Sequence, residues 1–158
     1  MPHASLHLPP AALQGALVAL VERDTRALAL DDAQRLTHFP ASPLVTISWS
    51  RDADLGLVTD APHGAAWAAF GARVMVSGTQ AHPSVSWAPT TGLGYVACFN
   101  ADAAQALFGL DLAAIQDRFV AVDAVIGRAF APLWEALLAC DSAAAALTVL
   151  EADLATRW

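Results

Sequence analysis

Near residue 100 the apolar residues change period, and that switch limits the folds open to this chain more than anything else in it. Before it, β-branched and aromatic residues come in short runs, RLTHF, PLVTISWSR, DLGLVTD, RVMVSG, PSVSWAP and GLGYVACF, each bounded by proline, glycine or aspartate. Such runs predict short antiparallel strands. After it, apolar residues recur at helical spacing. Asn100 is placed to cap ADAAQALF, Gly109 to stop it, and Asp111 to cap LAAIQDR. Asp123 is expected to open a longer helix bent by Pro132, and Asp141 and Ser142 to start a last one with Leu147, Leu150 and Leu154 on one face. ALVALVERDTRALAL fits a strand pair or a helix, because alanine-rich apolar runs do not separate the two periods. APHGAAWAAFGA reads as a loop whose Trp67 and Phe70 fold back onto the core. The expectation is one α+β domain over 1–158: a small β-barrel or sandwich to about residue 99, then an antiparallel helical hairpin over about 100–158.

Length supports a single core without metal or disulfide staples, since the chain has 158 residues. Hydrophobic residues make up 56% of it and charged ones 15%, so either a partner covers part of the surface or alanine inflates the count. All eight basic residues are arginine against fifteen acids, a net charge of -7 with no basic stripe. A surface that neutralises phosphates needs such a stripe, so this segment by itself reads as a poor nucleic-acid binder. The start, MPHASLHLPP, lacks the charged and apolar regions of a signal peptide, and no run of transmembrane length follows. A cytoplasmic location with no membrane partner is expected, and Cys98 and Cys140 suit reduced thiols there, although spacing leaves a bridge open.

Candidate chemistry is sparse. His38, His63 and His82 lack the H-x-H spacing that points two imidazoles into a barrel, so they read as turn or core histidines and no metal or other cofactor is expected, although spacing leaves ligands distant in sequence open. There is no G-x-S-x-G, and Cys98 lies inside GYVACF, where burial blunts a thiol. No catalytic residue is assigned. The glycines of TTGLGYV precede a strand and read as a hairpin turn. Trp49, Trp87 and Tyr95 fall on three strands and either fill the core or line a pocket; in the second case, with His38 and His82 at the rim, they would contact a small, largely apolar effector. The helical segments carry more apolar residues than one face needs. Phe130, Leu133, Trp134, Leu137, Leu150 and Leu154 are therefore expected at a homodimer interface, the alternative being that all six pack on the chain's own sheet.

The stretch from GTQAHPSVSW through GLGYVACFNADAAQALFGLDLAAIQDRFVAVDAVIGRAFAPLWEALL resembles the N-terminal regulatory domain of AraC-type transcription regulators. The features that carry the resemblance are Gly78, Gln80 and Pro83 in a G-x-Q-x-x-P turn, a strand ending at Phe99 that runs into a helix closed by Leu107 to Gly109, and Ile115 with Asp117 and Arg118. HFPASPLVTISW is similar to the family's turn-and-strand segment, with Ala41 and Ser42 in place of Asp-Gly, and His82 stands where an arginine is common. The resemblance implies a cupin-like sensor domain, non-catalytic, binding a small-molecule effector and forming a homodimer, with nucleic acid contacted only by a separate C-terminal helix-turn-helix domain. The helical ending at Trp158 is expected to lead into that domain. A free-standing cupin-like carrier or enzyme is the alternative. In either case GTQAHPSVSW is expected to be a turn between strands, with Gln80 bonding to the loop backbone and Trp87 facing the core.

Overall fold

The computed structural model describes residues 3–52 and 54–158; the first two residues of the leader lie outside it. In chain order the strands are β1 (His3–His7), β2 (Leu17–Asp24), β3 (Leu36–Phe39), β4 (Leu44–Ser50), β5 (Gly56–Ala61), β6 (Gly64–Ala69), β7 (Val74–Ser77), β8 (Ser84–Trp87), β9 (Leu93–Asn100) and β10 (Phe119–Ala121). The helices are α1 (Ala101–Phe108), α2 (Leu112–Ile115), α3 (Val122–Val125), α4 (Ala131–Leu138) and α5 (Ala143–Leu154). The fold is α+β. All strand pairs are antiparallel, in a six-stranded sheet ordered β1-β2-β9-β4-β7-β10 and a four-stranded sheet ordered β3-β8-β5-β6. The two sheets do not join into a closed barrel.

Period-two alternation decides what each face of the large sheet carries. Val45, Ile47 and Trp49 of β4 lie opposite Phe99, Ala97 and Tyr95 of β9, and all six are buried. The helices cover this face. Leu107 and Phe108 of α1, Leu133, Trp134 and Leu137 of α4 and Leu150 and Leu154 of α5 complete one core with it. Phe108 is central, its ring 5.5 Å from Phe99, 5.2 Å from Phe130 and 5.9 Å from Trp134. The six residues expected at a dimer interface are therefore inside the chain: Phe130 is 8% exposed, Trp134 5%, Leu133 3%, Leu150 1%, and Leu137 and Leu154 0%. The correction has a simple cause. A sheet six strands wide, with every helix packed on one side, uses the whole apolar stripe.

Several local readings change as well. Of the ambiguous run from Ala16 to Leu30, Leu17–Asp24 form the single strand β2, and residues 25–35 turn back toward β3. The expected loop around Trp67 is strand β6, held by pairing along all of β5. Trp67 stays 39% exposed, whereas Phe70 does fold inward. The long helix expected from Asp123 is broken into α3, an extended Ile126, a 3-10 turn over Arg128–Phe130, and α4. Pro132 consequently sits in the first turn of α4, where no intrahelical donor is lost, and bends nothing. Strand β10, paired with β7, had no expectation behind it. Among the caps, Asp111 accepts from Ala114 N at 3.3 Å, Ser142 from Ala145 N at 3.1 Å, and Gly109 closes α1 in the left-handed region. Asn100 occupies the N-cap position, but its amide donates instead to Gly15 O at 2.6 Å. Both cysteines are free thiols.

The first six residues of GTQAHPSVSW form a turn that docks on another turn, and the last four are strand β8. Gly78 packs against the backbone of Ile115, where a Cβ would collide, and its N–H donates to Arg118 O at 3.2 Å. Asp117, at a φ of 56°, accepts from Ala81 N at 2.7 Å and His82 N at 3.3 Å while its own N–H donates to Thr79 O at 2.9 Å. Gln80 donates to Ser77 Oγ at 2.9 Å and Gly78 O at 3.1 Å.

Two stability predictions follow from this packing. Gly78→Ala is expected to cost about 1–3 kcal/mol, the range for overpacking a closed contact. Leu137→Ala, which empties a fully buried site, is expected to cost about 2–5 kcal/mol. Urea unfolding followed by circular dichroism checks both, and a cost under about 0.5 kcal/mol, as at a free surface, would show that neither contact is made.

Candidate functional site: the cavity between the sheets

The other face of β4 and β9 has a different composition. Thr46 and Ser48 alternate with the large residues of β4, and Gly94, Val96 and Cys98 alternate with those of β9. These side chains are too short to reach the small sheet. A cavity of about 660 Å³ remains between the sheets, closed on the far side by Thr37 and Phe39 of β3, Ser86 of β8, and Leu55 and Phe70. Its size is that of a pocket for a small organic molecule.

The two ends differ. At one end Phe119 of β10 stacks on Phe70 at 5.4 Å and 18° and meets Phe39 at 6.1 Å, so three phenylalanines from both sheets form an apolar floor. At the other end stand Arg23 and Arg35. The Arg23 guanidinium donates to Thr37 Oγ1 and, at 3.1 Å, to Gln34 O, while Arg35 donates to Pro89 O at 3.1 Å. Between them Thr25 exchanges hydrogen bonds with Gly92, its Oγ1 accepting from Gly92 N at 3.0 Å.

Of the five residues that the sequence offered as ligand contacts, His38, Trp49 and Tyr95 border this cavity, and Trp87 and His82 do not. Even for Trp49 and Tyr95 the rings belong to the helix-side core, stacked on each other at 5.4 Å and 26°. Burial, and then the neighbouring Glu22 carboxylate, push the Tyr95 phenol well above its ordinary pKa. Glu22 in turn accepts from Ala143 N at 3.0 Å and ties the start of α5 to β2. Trp87 lies on the outer face of the small sheet, edge-on to Trp67 at 5.8 Å, and its carbonyl accepts from the Trp67 indole at 2.9 Å; it does not face the core. The two rings border a shallow depression of about 280 Å³. His82 is exposed on the docked turn, and His38 and His63 are exposed as well, so the three histidines do not meet.

The residues that sequence reasoning passed over are the small ones, Thr46, Ser48, Val96 and Cys98, together with Arg23, Arg35 and Phe119. A signal for the first group was present in VTISWS and YVACF, where Thr46, Ser48, Val96 and Cys98 take every second position between Val45, Ile47, Trp49, Tyr95, Ala97 and Phe99. The arginines had none, because only the fold brings β2 and the start of β3 together.

This arrangement can bind an apolar molecule with a polar end. The wall hydroxyls of Thr46, Ser48 and Ser86 have no histidine or carboxylate partner in the cavity wall, and burial pushes the Cys98 thiol up, away from the reactive thiolate. Among the described residues no group of three or more His, Cys, Asp and Glu side chains comes together. No protein-family model matches the chain, and no significant match exists among curated proteins or solved structures.

Cys98 supplies a reporter for the site. Only the thiolate is alkylated, and a raised pKa leaves less thiolate at neutral pH. Iodoacetamide is therefore expected to modify Cys98 more slowly in the folded chain at pH 7 than after unfolding, with the rate still climbing above the ordinary thiol range. An apolar compound in the cavity is expected to slow Cys98 further and leave Cys140, on the helix side, unchanged. Peptide mass spectrometry separates the two cysteines; equal protection of both would place the compound elsewhere.

Proposed function

We propose that the chain is the effector-sensing domain of an AraC-type transcription regulator, a non-catalytic, cupin-like two-sheet module carrying a helical hairpin made of α4 and α5. The observation that carries this reading is the cavity of about 660 Å³ held open between two antiparallel sheets. A second support is that the residues behind the resemblance meet in space, Gly78 on Ile115 and Arg118, and the following turn on Asp117.

In this reading a small effector enters the cavity and biases the packing of the helices, and a separate DNA-binding domain reads that bias. A route between the two is short. Phe119 borders the cavity, sits on β10 and is followed within three residues by α3, which leads on to α4 and α5. The acidic balance of the chain, -7, leaves DNA contact to that other domain. No described helix is long and apolar enough to cross a membrane, and a cytoplasmic setting belongs to the proposal. A second copy of the chain does too, but not through the six buried helix residues; among the described residues the large apolar side chains left exposed are Leu6, Leu8, Val18, Trp67 and Trp158.

The test uses a neutral, apolar fluorophore, N-phenylnaphthylamine. About one molecule per chain is expected to bind, and Ser48→Phe, which fills the middle of the wall between Met75 and Val96, is expected to abolish uptake while the chain stays folded. Amide exchange in α4 and α5 is expected to change with occupancy. Absence of uptake by the unaltered chain would end the sensing reading, and uptake without any change in the helices would favour a carrier.

A further inference from the structure

We infer that the ligand of the cavity is an amphipathic monocarboxylate, its carboxylate held at Arg23 and Arg35 and its apolar body laid toward Phe39, Phe70 and Phe119. This assignment rests on the ligand-sensing reading above and goes on to name the chemistry of the ligand. The first argument is charge. The chain has fifteen acidic residues, yet no aspartate or glutamate is among the described residues lining the cavity, and two arginines are. Among the described residues the ion pairs are Arg26 with Asp24 and Arg157 with Asp153, so neither Arg23 nor Arg35 has a carboxylate within ion-pair distance. Both are half-buried. A cation withdrawn from water without a counter-charge is costly, and an anionic ligand relieves that cost.

Geometry supplies the second argument. In the large sheet Arg23 lies in the row Arg23–Gly94–Ser50, whereas Phe119 lies in the row Cys98–Thr46–Ser77–Phe119. The rows are four residues apart along β9, about 13 Å at strand rise. On the facing sheet Arg35 and Phe39 are again four residues apart, one just before β3 and the other at its end. Both walls thus put guanidinium at one end and phenyl at the other, at the same separation. The hydrogen bonds of Arg23 to Thr37 and Gln34, and of Arg35 to Pro89, fix the two heads and leave further N–H donors for the two oxygens of a carboxylate. A medium-chain alkanoate has the length and shape for this space. A neutral alcohol of equal length would fill the apolar end and leave both cations unpaired.

Competition against bound N-phenylnaphthylamine compares decanoate with decanol on the full chain at pH 7.5 and low salt. Decanoate is expected to displace the dye at a concentration about tenfold or more below that of decanol, the difference a charge-assisted bond to arginine makes. Arg23→Gln with Arg35→Gln is expected to bring the ratio close to one by weakening decanoate alone. On the unaltered chain the ratio is expected to shrink as sodium chloride is raised, which tests the same point if the double variant does not fold. If dye and decanol compete but decanoate has no advantage, or its advantage survives both replacements or high salt, the carboxylate assignment fails and the cavity reading stands. If none of the three binds, both fail.

Discussion

The register of β4 against β9 governs both halves of the molecule. From Leu44 opposite Asn100 to Ser50 opposite Gly94 the two strands pair without a slip, so Val45 meets Phe99, Ile47 meets Ala97 and Trp49 meets Tyr95 on the helix side. A shift of one residue would turn Trp49, Ile47 and Val45 outward from the helices and put Thr46 and Ser48 beneath them. The core would lose its floor, and the cavity would be filled by the side chains that had left it. Stability and a binding volume are thus set by one pairing, and neither can be changed at these strands without the other.

That division also explains where the apolar surplus of the helical segment goes. An outer sheet face six strands wide needs more cover than two continuous helices give. The chain supplies it with α1, with the broken run of α3 and α4, and with α5. Breaking the run at Ile126 and Gly127 lets Ile126 and Phe130 both reach the core. Because Phe130, Trp134 and Phe108 then interlock, a residue count that ignores the breaks overstates what is left for a second chain.

The strands that could be read from the sequence were those with β-branched or aromatic residues between turn formers, β3, β4, β5, β7, β8 and β9. Strand β6 could not, since four of the six residues in GAAWAA are alanine and only the pairing with β5 makes it extended. The caps at Asp111 and Ser142 and the stop at Gly109 were legible because a single side chain or a single φ determines each. For the site, large aromatics were the wrong guide. Trp49 and Tyr95 are big enough to be needed in the core, and a cavity lies where side chains are small, so the informative letters were the threonine, serines, glycine and cysteine between the large ones. Arg23 and Arg35 became a pair only through the return of the chain from β2 to β3, a tertiary fact without a local trace.

If the cavity senses a ligand, its two ends have different tasks. A ligand shifts an equilibrium only by the difference in its affinity for the two states, about 1.4 kcal/mol for each tenfold. Arg23 and Arg35 sit on β2 and before β3, elements that are tied to each other, and β2 reaches the helices through the Glu22 carboxylate on Ala143 N. Phe119 is different. It is stacked against Phe70 just after β6, its strand β10 is the edge of the large sheet, and the turn before it is held by Asp117 and Gly78. Whatever pushes on the phenyl floor pushes on a strand that runs directly into α3, as β9 runs into α1. The shape of the apolar end is therefore one place where ligands that trigger a response can differ from ligands that only bind.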